Sequence, residues 1–565
     1  MPFSASPLLS RQLPEWRSKL VLFLFFSAFV LLALRGLWLQ SIASHFLQEQ
    51  GAIHYERTID FPSTRGKIVD RNGEILAASI PVKSVWAIPG DTRSSPAWKL
   101  KRLAQLLDLT EEEMRRKLSS DRNFVYLKHQ VTPDRSKEIQ HLHITGLFTS
   151  DEFKRFYPEG EAIAHVIGFT NAQDAGQDGL ELAYQSSLVG KPGIHHIIRD
   201  RLGQLAEDVE PMVRPKDGED LVLSLDRNIQ HVVFSELQAT IEKFEAKAGS
   251  AIVLDSETGE ILALANYPSY DPNNRGALAG NALRNRAIID TFEPGSTFKP
   301  FTLSLALDTE LVTPETVVST SPGKMAIGKW VIHDSSVHGN LTVAEVIQKS
   351  SNIGTAKIAL KMPAQQIWEE LVKFGFGQRP DIEFPGVAAG RVRPYESWTP
   401  IEQATISYGH GVSVSLLQLA HAYMVFARNG DQIPISFRKI RQPPPRQQIV
   451  SPKTAAQMRQ MLEAVVSSHG TATKAQLLNY RAGGKTGTSY KIEKGKYVKK
   501  YISSFVGIAP ISHPRIVTAI MIDEPTTGSH FGGSVAAPLF SKITAYTLHA
   551  LGVAPDSTIE SAQSN

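Results

Sequence analysis

Ser296-Thr-Phe-Lys299, Ser350-Ser-Asn352 and Lys485-Thr-Gly-Thr488 hold the residue types that acyl transfer through a serine ester requires. Ser296 is a hydroxyl that becomes a nucleophile once a neighbouring base takes its proton. Lys299 is that base if burial or a nearby cation, such as Lys485, lowers its pKa. Ser350 adds a second hydroxyl, Asn352 an amide, and Thr486, Gly487 and Thr488 a hydroxyl-rich stretch. The Ser-x-x-Lys pattern alone selects nothing, because it starts at Ser296, Ser321 and Ser436. Pro322 and Gly323 bar a helical turn at the second. At the third, a strand-like stretch sends positions i and i+3 to opposite faces. Only Ser296 follows a chain break, Pro294-Gly295, and opens a helical pattern in which Pro300 falls near the start. Lys299 then shares its face, and free N–H groups at the helix start favour a developing oxyanion.

Three other patterns invite chemistry and are set aside. Gly484-Lys-Thr486 imitates the end of a phosphate-binding loop, but Asn479 stands where that loop needs glycine and no apolar strand leads in. His195-His196 lacks carboxylates at zinc-site spacing and reads as structural. Lys491, Lys494, Lys496, Lys499 and Lys500 read as a solvated hairpin loop. With no cysteine there are no disulfides and no thiolate sites, and neither cofactor nor metal is expected. Basic and acidic residues, 60 against 56, nearly cancel, which gives no footprint for nucleic acid.

At 565 residues the chain needs several domains. Leu20–Leu39 is apolar apart from Ser27 and Arg35, long enough for a membrane span if Arg35 snorkels and Trp38 sits at the interface. Arg11, Arg17 and Lys19 place the preceding tail in the cytoplasm by the positive-inside rule. A cleaved signal peptide is the alternative, with Ser41-Ile-Ala43 as its site. Gln40 to about Phe61 reads as a helical stalk. A charged helix is expected over Pro96–Leu118 among short strands. Strands are expected at Asp220–Leu225, Ser250–Leu254, Glu260–Ala265, Gly483–Tyr490, Ile502–Ile508 and Ile516–Ile522, with short connections that favour antiparallel neighbours. Helices are expected at Ser296–Asp308, Val343–Leu360, Leu416–Ala427 and Ala536–Leu551. Strands at both ends with helices between them imply one sheet flanked by helices, an α/β (α+β) class.

The three motifs in this order resemble those of the penicilloyl-serine transferases, which share the β-lactamase-like fold. Arg65-Gly-Lys-Ile-Val-Asp-Arg-Asn-Gly73 resembles the first non-catalytic motif of class B penicillin-binding proteins. Arg155-Phe-Tyr-Pro158, His165-Val-Ile-Gly168 and Gly179-Leu-Glu181 resemble later ones, and Ser407-Tyr-Gly-His-Gly411 the turn beside that family's active site. Lys349-Ser-Ser-Asn352 and the Arg35…Gln40 membrane exit look like the division-septum (FtsI) type. The elongation type is the alternative.

The resemblance implies a tail over 1–19, an anchor over 20–40, a pedestal of dimerisation-domain type over 41–217, a transpeptidase domain over 218–552 and a flexible tail over 553–565. It implies a D,D-transpeptidase of the inner membrane, catalytic domain in the periplasm, acting on D-Ala-D-Ala stem peptides and acylated by β-lactams. Ser296, Lys299, Ser350, Asn352 and Lys485 would be catalytic, with Thr486, Gly487 and Thr488 binding the terminal carboxylate. The oxyanion hole would come from the backbone N–H groups of Ser296 and Thr488. A septal glycosyltransferase and other division proteins are the implied partners, and the Arg65 and Glu181 motifs would either contact them or fold the pedestal. A β-lactamase or an idle division scaffold fits less well.

Overall fold

A computed structural model describes residues 15–41, 43–44, 56–120, 122, 124–199, 205–208, 213–274 and 280–557. The tail before residue 15, most of the expected stalk and the end of the C-terminal tail lie outside the described residues. Two compact units form, Met1–Ser63 with Lys191–Lys216, and Thr64–Gly190 with Asp217–Asn565.

In the first unit, Glu15–Ser41 is one 27-residue helix, long and apolar enough to cross a bilayer. The Arg35 guanidinium lies 4.5 Å from the Trp38 ring centroid, covering an aromatic face near the helix end. The helical stalk does not extend to Phe61: Glu56–Phe61 is a strand, antiparallel to Gly193–Arg199, which also pairs with Leu205–Asp208. Its partner arrives more than a hundred residues later, so local polarity concealed the pairing. His195 and His196 lie within that partner strand, opposite Ile59 and Thr58.

In the second unit, strand Ile75–Ala87 pairs with Ile68–Val69, Val125–Val131 and Leu147–Phe156. The charged helix expected over Pro96–Leu118 is two helices, Ala97–Leu106 and Glu111–Leu118. Asp108 takes a left-handed φ of 51°, and a Thr110–Glu113 capping box restarts the chain. Glu181 is wholly buried between two guanidiniums, with Arg65 Nε 2.6 Å from one carboxylate oxygen and Arg155 Nε 2.6 Å from the other. Arg65 also donates to the carbonyls of Asp174 and Glu181. These motif residues therefore fold the pedestal from inside, since no surface remains on them for a partner.

The main sheet is antiparallel throughout, in the order Ile261–Tyr267, Ala248–Asp255, Ile516–Asp523, Lys496–Ala509, Gly483–Glu493. Every residue of Ala248–Asp255 is buried, so both faces are covered. Helices Arg227–Lys243 and Gly532–Ala550 pack together on one, and Leu416–Ala427 covers the other. The expected single helix Val343–Leu360 is instead two, Val343–Gln348 and Asn352–Ala359. Apolar periodicity runs across the break, but Ser351 caps the second helix by accepting from the Gly354 N–H.

Candidate active site

The turn before Ser296 is held from three sides. Gly295 donates its N–H to the Gly409 carbonyl at 3.2 Å. The Thr297 hydroxyl donates to the Pro294 carbonyl at 2.8 Å, and the buried Tyr423 hydroxyl donates to the Thr297 carbonyl at 2.7 Å. Gly295–Phe298 is a tight 3-10 turn and the α-helix begins at Lys299, with Pro300 in its first turn. That helix is buried from Lys299 to Leu307. Phe301 packs against Phe298, Phe374, Phe376, Tyr423 and Phe426, so the nucleophile turn rests on an aromatic cluster.

Two glycines permit the close approach of neighbouring segments. Gly409 has φ +86°, and a Cβ there would lie 2.3 Å from the Gly295 carbonyl oxygen. A Cβ on Gly487 would meet Ser504 Oγ at 2.3 Å and the Pro294 carbonyl oxygen at 2.9 Å. Strand Gly483–Glu493 can therefore lie against the Ser296 turn. It is the sheet's edge, so its outward backbone groups pair with no further strand of that sheet.

Lys299 Nζ sits 2.8 Å from Ser296 Oγ, 2.6 Å from the Ser350 carbonyl, 3.1 Å from Ser350 Oγ and 2.8 Å from Asn352 Oδ1. A neutral amine has two N–H donors and one lone pair. The Ser350 carbonyl and Asn352 Oδ1 use the donors, and the lone pair is left for the Ser296 proton. Lys485 Nζ lies 2.9 Å from Ser350 Oγ, so one hydroxyl links the two lysines. Ser350 reaches this place with a left-handed φ of 62° at the break between the two helices, a conformation that costs about 1–2 kcal/mol for a non-glycine residue.

Neither lysine is exposed, and neither makes an ion pair among the described residues. Burial drives the Lys299 pKa well below the ordinary lysine value, the Lys485 charge lowers it further, and Asp334 opposes both. Burial brings Lys485 down to about 7. The arrangement can thus keep Lys299 neutral as a base while Lys485 retains its proton longer.

The geometry brings together all eight residues singled out in the sequence. Thr486 Oγ1 is 3.2 Å from Thr471 Oγ1, and Thr488 Oγ1 accepts from the Gly532 N–H at 3.1 Å. Asp334 was missed. It accepts from Ser351 Oγ at 2.6 Å, from the Asn352 N–H at 2.5 Å and from the Ile353 N–H at 3.0 Å, fixing the second motif. It lies just beyond the short hairpin Lys324–His333, where no spacing rule points to it. His410 packs at this site too, with burial lowering its pKa to about 4.

Residues 249–545 match the penicillin-binding protein transpeptidase domain, and residues 60–223 match the penicillin-binding protein dimerisation domain. Over 539 residues the chain is 40% identical to the probable peptidoglycan D,D-transpeptidase PenA of Neisseria gonorrhoeae, covering 94% of this chain and 92% of that one. The chain belongs to the class B penicillin-binding proteins. Peptidoglycan D,D-transpeptidase FtsI of Escherichia coli K12 is 35% identical over 549 residues, 96% of this chain and 93% of its own. The transpeptidase domain of Burkholderia pseudomallei penicillin-binding protein 3 has 50% identity and a TM-score of 0.56, covering 60% of this chain and 98% of that structure. A peptidoglycan synthetase from Bifidobacterium adolescentis, 25% identical, covers 89% of this chain and 98% of its own at a TM-score of 0.71. This class B protein is accordingly a peptidoglycan D,D-transpeptidase of the FtsI/PenA type, with the penicillin-binding protein fold.

Proposed function

We propose that Ser296 is the nucleophile and Lys299 its base in cross-linking peptidoglycan stem peptides. The observation that carries this reading is Lys299 Nζ, buried and 2.8 Å from Ser296 Oγ. Ser296 Oγ bonds to the carbonyl carbon of the penultimate D-Ala while Lys299 takes the hydroxyl proton. The C–N bond to the terminal D-Ala then breaks, and its nitrogen receives a proton relayed through Ser350. Lys485 polarises Ser350, Asn352 orients Lys299 and the substrate amide, and Thr486 and Thr488 meet the terminal carboxylate beside Gly487. An amine of a neighbouring stem peptide displaces Ser296 and completes the cross-link. A β-lactam acylates Ser296 in the same way and leaves slowly. Labelling with a fluorescent penicillin tests this: the wild type retains label and Ser296→Ala does not, whereas a labelled Ser296→Ala variant rejects the assignment.

The proposed setting is the division septum. The chain is anchored in the inner membrane by Glu15–Ser41, with the tail in the cytoplasm and the transpeptidase in the periplasm, beside a septal glycosyltransferase and other division proteins. Support comes from likeness to relatives named FtsI over 96% of the chain, from Lys349-Ser-Ser-Asn352, and from the basic residues before the apolar helix. Depletion should give filamentous cells. Round cells would assign the enzyme to elongation instead.

A further inference from the structure

Three segments far apart in the chain frame Ser296: the turn that carries it, the 407–411 turn, and the hairpin formed by Gly483–Glu493 and Lys496–Ala509. One side chain touches all three. Glu293, three residues before Ser296, is only 7% exposed. Its Oε1 accepts from the Gly411 N–H at 2.8 Å. The Tyr497 hydroxyl, near the hairpin tip, reaches both carboxylate oxygens at 3.1 Å. His410 Nδ1 lies 3.8 Å from Oε2, and the His410 ring sits between those of Tyr408 at 5.3 Å and Tyr497 at 6.3 Å. Burial raises the Glu293 pKa, opposed by the hydrogen bonds from Gly411 and Tyr497.

We propose that Glu293 is a positioning residue for acyl transfer: its carboxylate, with Tyr497 as partner, clamps the hairpin and the 407–411 turn onto the turn that carries Ser296. The inference rests on Ser296 being the nucleophile. Away from the site the hairpin is tied down by Lys491, whose Nζ lies 2.8 Å from both Asp523 carboxylate oxygens, and by Lys500, whose Nζ lies 2.7 Å from Glu493 Oε1. Tyr497 is 56% exposed and Ile492, opposite it, 46%, so the hydroxyl contact is the tip's anchor on the site side. Releasing it loosens the site side of the hairpin, whose other strand, Gly483–Glu493, carries Lys485, 2.9 Å from Ser350 Oγ. The clamp therefore acts on the geometry of the covalent step more than on capture of the ligand.

The test is stopped-flow acylation of the full-length protein in detergent by a fluorescent penicillin, separating the limiting acylation rate from the affinity of the non-covalent complex. Tyr497→Phe keeps the ring and removes one charge-assisted hydrogen bond, so the limiting rate should fall about tenfold. Affinity should stay within about twofold and melting within about a degree of wild type. Glu293→Gln should also slow acylation. The double variant should be no slower than the worse single variant, because both break one clamp. Wild-type acylation by Tyr497→Phe, or losses that multiply in the double variant, would overturn the proposal. Ser296→Ala run alongside separates the two ideas: label retained there defeats the nucleophile assignment whatever Tyr497→Phe does.

Discussion

Replacing Asp334 with asparagine keeps the side chain's shape and removes its charge. The carboxylate accepts from Ser351 Oγ, the Asn352 N–H and the Ile353 N–H, all at the start of helix Asn352–Ala359. Hydrogen bonds to a charged group contribute about 1.5–3 kcal/mol against about 1 for neutral pairs, so Asp334→Asn should cost about 1–2 kcal/mol. Asp334→Ala strips all three bonds from a half-buried site, a loss of about 3 kcal/mol. Both should lower the melting temperature by a few degrees, alanine more. The charge has a second effect. Asp334 holds the Lys299 pKa up against burial and Lys485, so removing it lets that pKa fall further. The acid limb of the acylation rate should therefore move to lower pH in both variants. Stopped-flow acylation across a pH series, with thermal melting alongside, reads both effects. An acid limb that moves to higher pH, or unchanged melting in Asp334→Ala, would be incompatible with these roles for Asp334.

Three further outcomes follow from the geometry. Glu181→Gln leaves the buried Arg65 and Arg155 without a carboxylate and should destabilise the protein by about 3–5 kcal/mol, seen as a lower denaturant midpoint at unchanged slope. Gly409→Ala places a Cβ against the Gly295 carbonyl at a φ of +86°, so penicillin acylation should slow by at least about tenfold while the circular dichroism spectrum stays native. Lys485, buried and with a pKa of about 7, should give the second-order acylation rate a falling limb near that pH. The charge beside Ser350 disappears as pH rises through that value, and a pH series in which the rate keeps climbing past it would contradict this role.

Much of this arrangement is legible along the chain. Pro294-Gly295 marks the break before Ser296, and Pro300 marks the helix start, which together separate Ser296 from Ser321 and Ser436. Leu416–Ala427 and the five strands of the main sheet appear where their apolar runs lie. What stayed hidden depends on contacts between distant residues. Asp334 reaches the second motif from outside it, and Glu293 meets Tyr497 204 positions later. The left-handed backbone of Ser350 is fixed by its neighbours, since serine has no intrinsic preference for it. Apolar periodicity ran straight through Lys349–Ser351, although Thr342 with Glu345 and Ser351 with Gly354 mark two separate helix starts. Glu56–Phe61 carries helix-like spacing along the chain yet forms a strand, because its partner, Gly193–Arg199, lies far downstream.

Peptide mapping by mass spectrometry after brief exposure of the full-length protein to a penicillin identifies the nucleophile and its dependence on Lys299 in one measurement. One adduct of the intact penicilloyl mass should form on Ser296, absent from Ser296→Ala and strongly slowed in Lys299→Ala. An adduct on any other residue, or rapid labelling of Lys299→Ala at neutral pH, would contradict it.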